Sequence, residues 1–243
     1  MVVEFCIAAI YTVLLQNDSI NLKMYTLKIL INKKQRHLLL TAIAILAGGF
    51  LLISIYVFCF PVSFVDREFS EEVQEHTAPI LDTTMRAISC LGYMPNSLIV
   101  VLATALIFFL FKYKKEALFL ILTLVSGLVS SVFKIIVNRA RPLPSLVRII
   151  ETTRQQSYPS GHMIFYIVFL GFLTLLMYQL RTISKSIRIG VSSISILLIL
   201  VIPFSRIYLG AHWFTDVLGG FLLGALCLFT ISYYYLKNAI VFR

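Results

Sequence analysis

Three short stretches of this chain hold the residue types that move phosphoryl groups. They are Lys134 with Arg141-Pro142 after a six-residue gap, Tyr158-Pro159-Ser160-Gly161-His162, and Ser205-Arg206 followed by His212 and Asp216. Each type suits one task. Arg and Lys bind phosphate oxygens through charge-assisted hydrogen bonds, Arg often through two at once. Aimed at a transferring group, they stabilise charge as the transition state forms. A histidine nitrogen can attack phosphorus and form a covalent intermediate, which splits one hard displacement into two easier ones. A carboxylate one helical turn away can hold that imidazole in the needed tautomer. A second histidine can protonate the departing oxygen and then activate water. The three stretches supply one of each.

The elements that position these residues are membrane spans. The 243 residues are 59% hydrophobic and only 13% charged, which excludes a soluble domain. A helix needs about 20 apolar residues to cross the hydrocarbon core. Six runs meet or approach this, at 38–60, 95–111, 117–137, 163–180, 189–204 and 214–236. The expected fold is all-α: an integral membrane bundle of six transmembrane helices, one domain over 38–243 with a cytoplasmic segment over 1–37. Counting crossings puts all three stretches on one side. Lys134 ends the third helix, and Arg141 follows where the chain unwinds before Pro142. Ser160 and Gly161 open the fourth helix, where free backbone N–H groups and the helix dipole attract anions. Arg206 closes the fifth, and the sixth starts near His212 with Asp216 one turn later on the same face.

Charge distribution sets the orientation. With a cytoplasmic N-terminus, inside segments hold 13 Lys and Arg and outside segments 8, the sense of the positive-inside rule. The outside cations are dominated by those in or beside the three stretches, and the first outer loop, 61–94, is acidic. Both termini are therefore expected inside, with the candidate site outside. The net charge of +10 follows from this topology and calls for no nucleic-acid partner. Arg148 and Arg154 read as headgroup contacts, and Arg139 is open to the same reading. His37 and His76 read as solvated residues.

The loop 61–94 should carry one surface helix opened by Pro79, with Ile80, Leu81, Met85, Ile88 and Leu91 towards one face, lying in the headgroup plane. Gly220-x-x-x-Gly224 permits close helix approach and reads as internal packing. Cys6, Cys59, Cys90 and Cys227 lack metal-like spacing. Cys59 and Cys90 both fall near the outer face, but buried or lipid-facing thiols are the simpler expectation. Near the N-terminus, Phe5 to Leu15 is apolar but too short to span, and the sequon at Asn17 would be unused on a cytoplasmic segment. The segment reads as a peripheral amphipathic stretch or as an extension upstream of a start at Met24.

Taken together, Lys134-x6-Arg141-Pro142, Pro159-Ser160-Gly161-His162 and Ser205-Arg206-x5-His212-x3-Asp216 resemble the three-part signature of the type 2 phosphatidic acid phosphatase (PAP2) superfamily. Its members include lipid phosphatases, polyprenyl-pyrophosphate phosphatases and soluble vanadium haloperoxidases. Every key position matches, although Met163 is bulkier than the small residue usual there and Tyr158 stands for a frequent phenylalanine. The resemblance implies His212 as a nucleophile that becomes phosphohistidine, Asp216 as its orienting carboxylate, and His162 as general acid and then base. It implies phosphate binding by Lys134, Arg141, Ser160, the Gly161 N–H and Arg206, with no metal and no cofactor.

The function this implies is a metal-independent lipid phosphatase of the cell membrane with its site facing outside. Candidate substrates are a polyprenyl pyrophosphate, phosphatidylglycerol phosphate, phosphatidate or a lipid A phosphate, with the polyprenyl carrier first. The same residues would serve a phosphotransferase that uses a lipid or sugar hydroxyl in place of water. A lipid transporter would instead place ionisable residues near the bilayer midplane and break its helices. Here they gather at one face. Oligomeric state is not legible.

Overall fold

The computed structural model describes residues 33–153 and 155–237; of Lys33–Arg36 it describes backbone alone. The expectations for Phe5–Leu15, the Asn17 sequon, Met24 and Arg154 lie outside the described residues. Ten helices follow one another: α1 Lys33–Cys59, α2 Phe64–Gln74, α3 Pro79–Ser89, α4 Asn96–Leu110, α5 Lys114–Leu122, α6 Val125–Val137, α7 Gly161–Phe165, α8 Gly171–Gln179, α9 Lys185–Tyr208 and α10 Phe214–Lys237. No strand occurs among the described residues. Two of the spans are compound. α5 and α6 make one, Lys114–Val137, and α7 and α8 make another, Gly161–Gln179, joined by a π-helical turn at Tyr166–Leu170.

Five spans are long and apolar enough to cross a bilayer, beginning with His37–Cys59 and ending with Phe214–Lys237. The second apolar run does not make a full crossing by itself. α4 has only 15 residues, about 22 Å at the α-helical rise. It reaches span length only when joined to Pro79–Gly92 across a 58° bend. Pro95 precedes α4 and has no N–H to extend a helix through this point. The six-span reading therefore holds with a broken second span.

Burial sorts the spans by role. Gly161–Gln179 is 67% buried and Phe214–Lys237 50%, against 6% for His37–Cys59. α7–α8 and α10 thus form the axis of the bundle, while α1 lies at its edge with about half its described residues exposed and Phe50 and Val57 buried against the rest, as an apolar helix facing lipid on one side should. Small residues let the axis close. A Cβ on Gly220 would meet the Ser160 carbonyl at 2.7 Å, and one on Gly224 the Ile164 Cα at 3.2 Å. Gly220-x-x-x-Gly224 accordingly serves internal packing of α10 on α7.

The loop 61–94 holds two helices where one was expected. α2 starts with a capping box: Ser63 accepts from the Asp66 N–H while the Asp66 carboxylate accepts from the Ser63 N–H. α3 does begin with Pro79. It is no free surface helix, because Ile88 and Leu91 pack on the main core and the helix lies against α9. Gln74, at the end of α2, donates to the carbonyls of Arg148 at 2.8 Å and Tyr208 at 2.9 Å, and accepts from the Arg148 N–H at 3.0 Å. Arg148 pairs with Asp82 through both nitrogens, at 3.0 and 2.7 Å, so its partner is a protein carboxylate. Cys59, Cys90 and Cys227 are free thiols.

Candidate active site

All eight residues expected at the site converge at one end of the bundle. Lys134 lies in the last turn of α6, and its Nζ donates to the Gln156 carbonyl at 2.7 Å. Arg141, from the loop that follows, holds the same segment through the Gln155 carbonyl at 2.6 Å and the turn before α10 through the Ala211 carbonyl at 2.5 Å. Backbone carbonyls thus hold both cations without neutralising them. Burial presses the Arg141 guanidinium down to about 10, still charged at neutral pH. Gly161 stands beside both Lys134 and Ser130.

Ser160 caps α7, and its own N–H donates to the Asp216 carbonyl at 3.0 Å. The N–H groups of Gly161 and His162 follow in the first helical turn, where no intrahelical carbonyl can reach. Arg206, fully buried in the last turn of α9, donates to Tyr93 Oη at 2.5 Å and Ser89 Oγ at 3.0 Å. Its guanidinium also meets Glu151 at 3.4 Å on both nitrogens.

The two histidines differ in setting. The His162 ring packs edge-on against Tyr93, with centroids 4.4 Å apart, and Gly92 leaves the space the ring occupies. His162 Nε2 is buried without a protein partner, and the residue lies in the field of Arg206, His212, Arg141 and Lys134. A buried polar atom of this kind is costly unless a ligand or water meets it. His212 Nε2 lies 3.4 Å from Arg141 Nη1, while Nδ1 faces Asp216 Oδ2 at 3.5 Å without a hydrogen bond. Burial, then Arg141, Lys134 and Arg206, hold its pKa well below the ordinary 6.5, with the Ser157 backbone opposing them. The imidazole is therefore neutral at physiological pH.

His212 departs from expectation in one respect. It lies in the turn Leu209–Trp213, ahead of α10, and the helix begins only at Phe214. The Asp216 carboxylate explains this, because Oδ2 accepts from the Trp213 N–H at 2.8 Å. That satisfies a donor at the helix start and holds the turn beneath His212. Asp216 also accepts from Ser157 Oγ and, through Oδ1, from Arg139 Nη1 at 2.5 Å. Its contact with His212 is correspondingly long.

Several site residues escaped the sequence reading. Arg139 is 3% exposed and binds two carboxylates, Asp66 and Asp216, so the headgroup reading does not apply to it. Glu151, Tyr93, Ser89 and Ser157 surround the cations and histidines, yet none belongs to a stretch with a chemical signature. For Asp66 a signal did exist, since Ser63-x-x-Asp66 is a capping pattern. It foretells the cap and says nothing of Arg139.

Fold and site together define a membrane-embedded enzyme built around an anionic reacting group. Comparison with known proteins gives the family. The model of the PAP2 superfamily matches residues 115–240. Phosphatidylglycerophosphatase B of Bacillus subtilis (strain 168) is 30% identical over 190 residues, spanning 75% of this chain and 89% of that protein. The crystal structure of a transmembrane PAP2 type phosphatidylglycerolphosphate phosphatase from Bacillus subtilis has 26% identity, covers 80% of this chain and 96% of that one, and superposes with a TM-score of 0.71. Aquifex aeolicus LpxE shares the fold at 20% identity, covering 69% of this chain and 94% of that one, with a TM-score of 0.54. This chain belongs to the PAP2 superfamily and is a multi-span membrane lipid phosphatase.

Proposed function

We propose that the enzyme hydrolyses the phosphate monoester or diphosphate of a membrane lipid at the extracytoplasmic face, through a phosphohistidine on His212. The observation that carries this reading is the placement of His212 between Asp216 at Nδ1 and the cation Arg141 at Nε2. A phosphoryl group held by Lys134, Arg141, Arg206, Ser160 Oγ and the Gly161 N–H would stand in front of Nε2.

In the first step the Nε2 lone pair forms a bond to phosphorus as the bond from phosphorus to the lipid oxygen breaks. Protonated His162 gives its Nε2 proton to that oxygen. In the second step His162 takes a proton from water as the water oxygen attacks phosphorus. The phosphorus–nitrogen bond breaks, inorganic phosphate leaves, and both histidines return to their starting states. The three cations match the negative charge that builds on the phosphoryl oxygens, which leaves no step that needs a metal.

Phosphatidylglycerophosphate is the first substrate to test, on the strength of the Bacillus subtilis relatives; undecaprenyl pyrophosphate is the second. The outer placement is supported by the 13 inside cations against 8 outside. Exposed Ser145, changed to Cys in a background with the native cysteines replaced, should label with an impermeant reagent on intact cells. Labelling only after lysis would overturn the orientation.

The direct test is phosphate release by purified protein in detergent containing EDTA, with each lipid in turn. Activity should persist under EDTA, and a rapidly acid-quenched reaction should show phosphate on His212. Because His212 must be neutral to attack, the acid limb of kcat/KM should lie at its lowered pKa, well under 6.5, apart from any alkaline limb set by the need for protonated His162. An acid limb centred at or above 6.5 would contradict this nucleophile.

A further inference from the structure

The outer-loop helix α2 sends one carboxylate into the interior. Asp66 is completely buried. Its Oδ2 accepts from Arg139 Nη2 at 2.6 Å and Ser63 Oγ at 2.8 Å. Its Oδ1 accepts from the Thr215 N–H at 2.9 Å and Thr215 Oγ1 at 2.8 Å. Thr215 precedes Asp216 in the first turn of α10, so Asp66 satisfies a helix-start donor from a different helix. Arg139 continues the chain: Nη1 reaches Asp216 Oδ1 at 2.5 Å and Thr215 Oγ1 at 2.7 Å, and Nε donates to the Pro61 carbonyl at 2.8 Å.

One guanidinium thus lies between two buried carboxylates, and the charge count matters. An Asp216–Arg139 pair alone would be neutral, and His212 would face Lys134, Arg141 and Arg206 with no net anion behind it. With Asp66 the three groups carry one net negative charge. Arg139 then divides its attraction between two partners, and Asp216 keeps more of its own potential towards His212 Nδ1. Burying two acids and a base is expensive without such complete pairing. Anchoring a loop does not require it.

We propose that Asp66 is a positioning residue of the hydrolytic reaction, acting through Arg139 and Asp216 on His212. The proposal rests on His212 as nucleophile. It concerns a residue outside the segment that carries the family signature, on a helix that none of the three stretches includes.

The test compares wild type, Asp66→Asn and Asp66→Glu as purified, monodisperse protein. Asp66→Asn keeps the shape and an acceptor for Thr215 but removes the charge. Its kcat should fall about tenfold to a hundredfold, with KM within about threefold of wild type. The acid limb of its kcat/KM profile should move down by about half a pH unit, since removing an anion favours neutral imidazole. His212 feels that change against Lys134 of α6, Arg141 and Ser157 of the loop, Arg206 of α9, His162 of α7 and Asp216 of α10. Asp66→Glu should recover part of kcat and return the limb. Should Asp66→Asn fail to fold, Arg139→Lys replaces it, because an ammonium keeps the charge but cannot span both carboxylates; the same fall in kcat is expected.

A folded variant with wild-type kcat would overturn the proposal. So would a loss of activity matched by a loss of folded protein with the acid limb unmoved, the mark of a loop anchor. If wild-type protein releases no phosphate from any lipid, the nucleophile reading itself fails and this inference falls with it.

Discussion

The spans from Lys114 to Lys237 and the loop over 61–94 contribute to the same site in opposite ways. The spans supply groups whose chemistry shows in their type: Lys134, His162, Arg206 and Asp216. The loop supplies none of the groups expected to touch phosphorus. Instead Asp66 braces Arg139, Gln74 clips the turn after α9, Ser89 and Tyr93 hold Arg206, and Gly92 makes room for His162. Lys134, His162, Arg206 and Asp216 sit on the spans, and His212 and Arg141 in the turns that leave or enter them. The parts that aim them come from short helices laid across the helix ends. Precision at this site is therefore a property of the loop as much as of the bundle.

Removing a reactive group should have the largest effect. His212→Ala should lower kcat by about ten-thousandfold, the scale of losing a nucleophile that acts with its partners as a unit. The protein should stay monodisperse with an unchanged helical spectrum. Retained turnover would place the nucleophile elsewhere and dissolve the contrast between the two regions.

Gly92→Ala tests whether the loop aims as well as covers. The new Cβ would run into the His162 imidazole, and a catalytic group displaced by about 1 Å loses on the order of a hundredfold. The expected result is a large fall in kcat in a folded protein. The fall should be smaller for lipid esters with good leaving groups, which need less help from a general acid. An unchanged kcat would mean that the loop only covers the helix ends.

The same contrast explains what the sequence revealed. Lys134, Arg141, Ser160, His162, Arg206, His212 and Asp216 were legible because each type has a restricted chemistry and apolar runs place them all at one membrane face. Arg139 was ambiguous because an arginine at a helix end serves a headgroup and a buried carboxylate equally well; only the fold brings Asp66 to it. The second span was legible as an apolar run over 95–111, but the 58° bend before it was not, because hydropathy registers how apolar a run is and nothing of its path. His212 was assigned to a helix by spacing, whereas the capping of Trp213 by Asp216 starts that helix two residues later.

Gln74→Ala should separate anchoring from aiming. Three hydrogen bonds to the backbone at Arg148 and Tyr208 would be lost. At a half-buried position this costs about 1–2 kcal/mol and lowers the melting temperature by roughly 2–8 °C. Activity per folded molecule should stay within about threefold. A much larger fall in kcat, with stability intact, would show that this clip also aims the site.

The smallest effect is expected at Tyr158, although it lies inside a signature stretch. Its ring is wholly buried, stacked at 6.2 Å on Phe50 and enclosed by Gly219. Its hydroxyl meets Ser54 Oγ of α1 at 2.8 Å. Burial pushes that hydroxyl up to about 12, so it neither ionises nor exchanges protons near neutral pH. Tyr158 shares a cluster with Phe50 of α1, Leu223 of α10 and Ile164 and Val168 of the Gly161–Gln179 span; Asp216 and Arg139 act on it electrostatically, but its hydrogen bond runs to α1. Tyr158→Phe should therefore cost about 1 kcal/mol for the lost hydrogen bond and leave kcat and KM within about twofold. Thermal unfolding together with steady-state kinetics on one lipid would check both. A tenfold loss of kcat at unchanged stability would make Tyr158 part of the reaction and extend the chemical region from the histidines to the seam with α1.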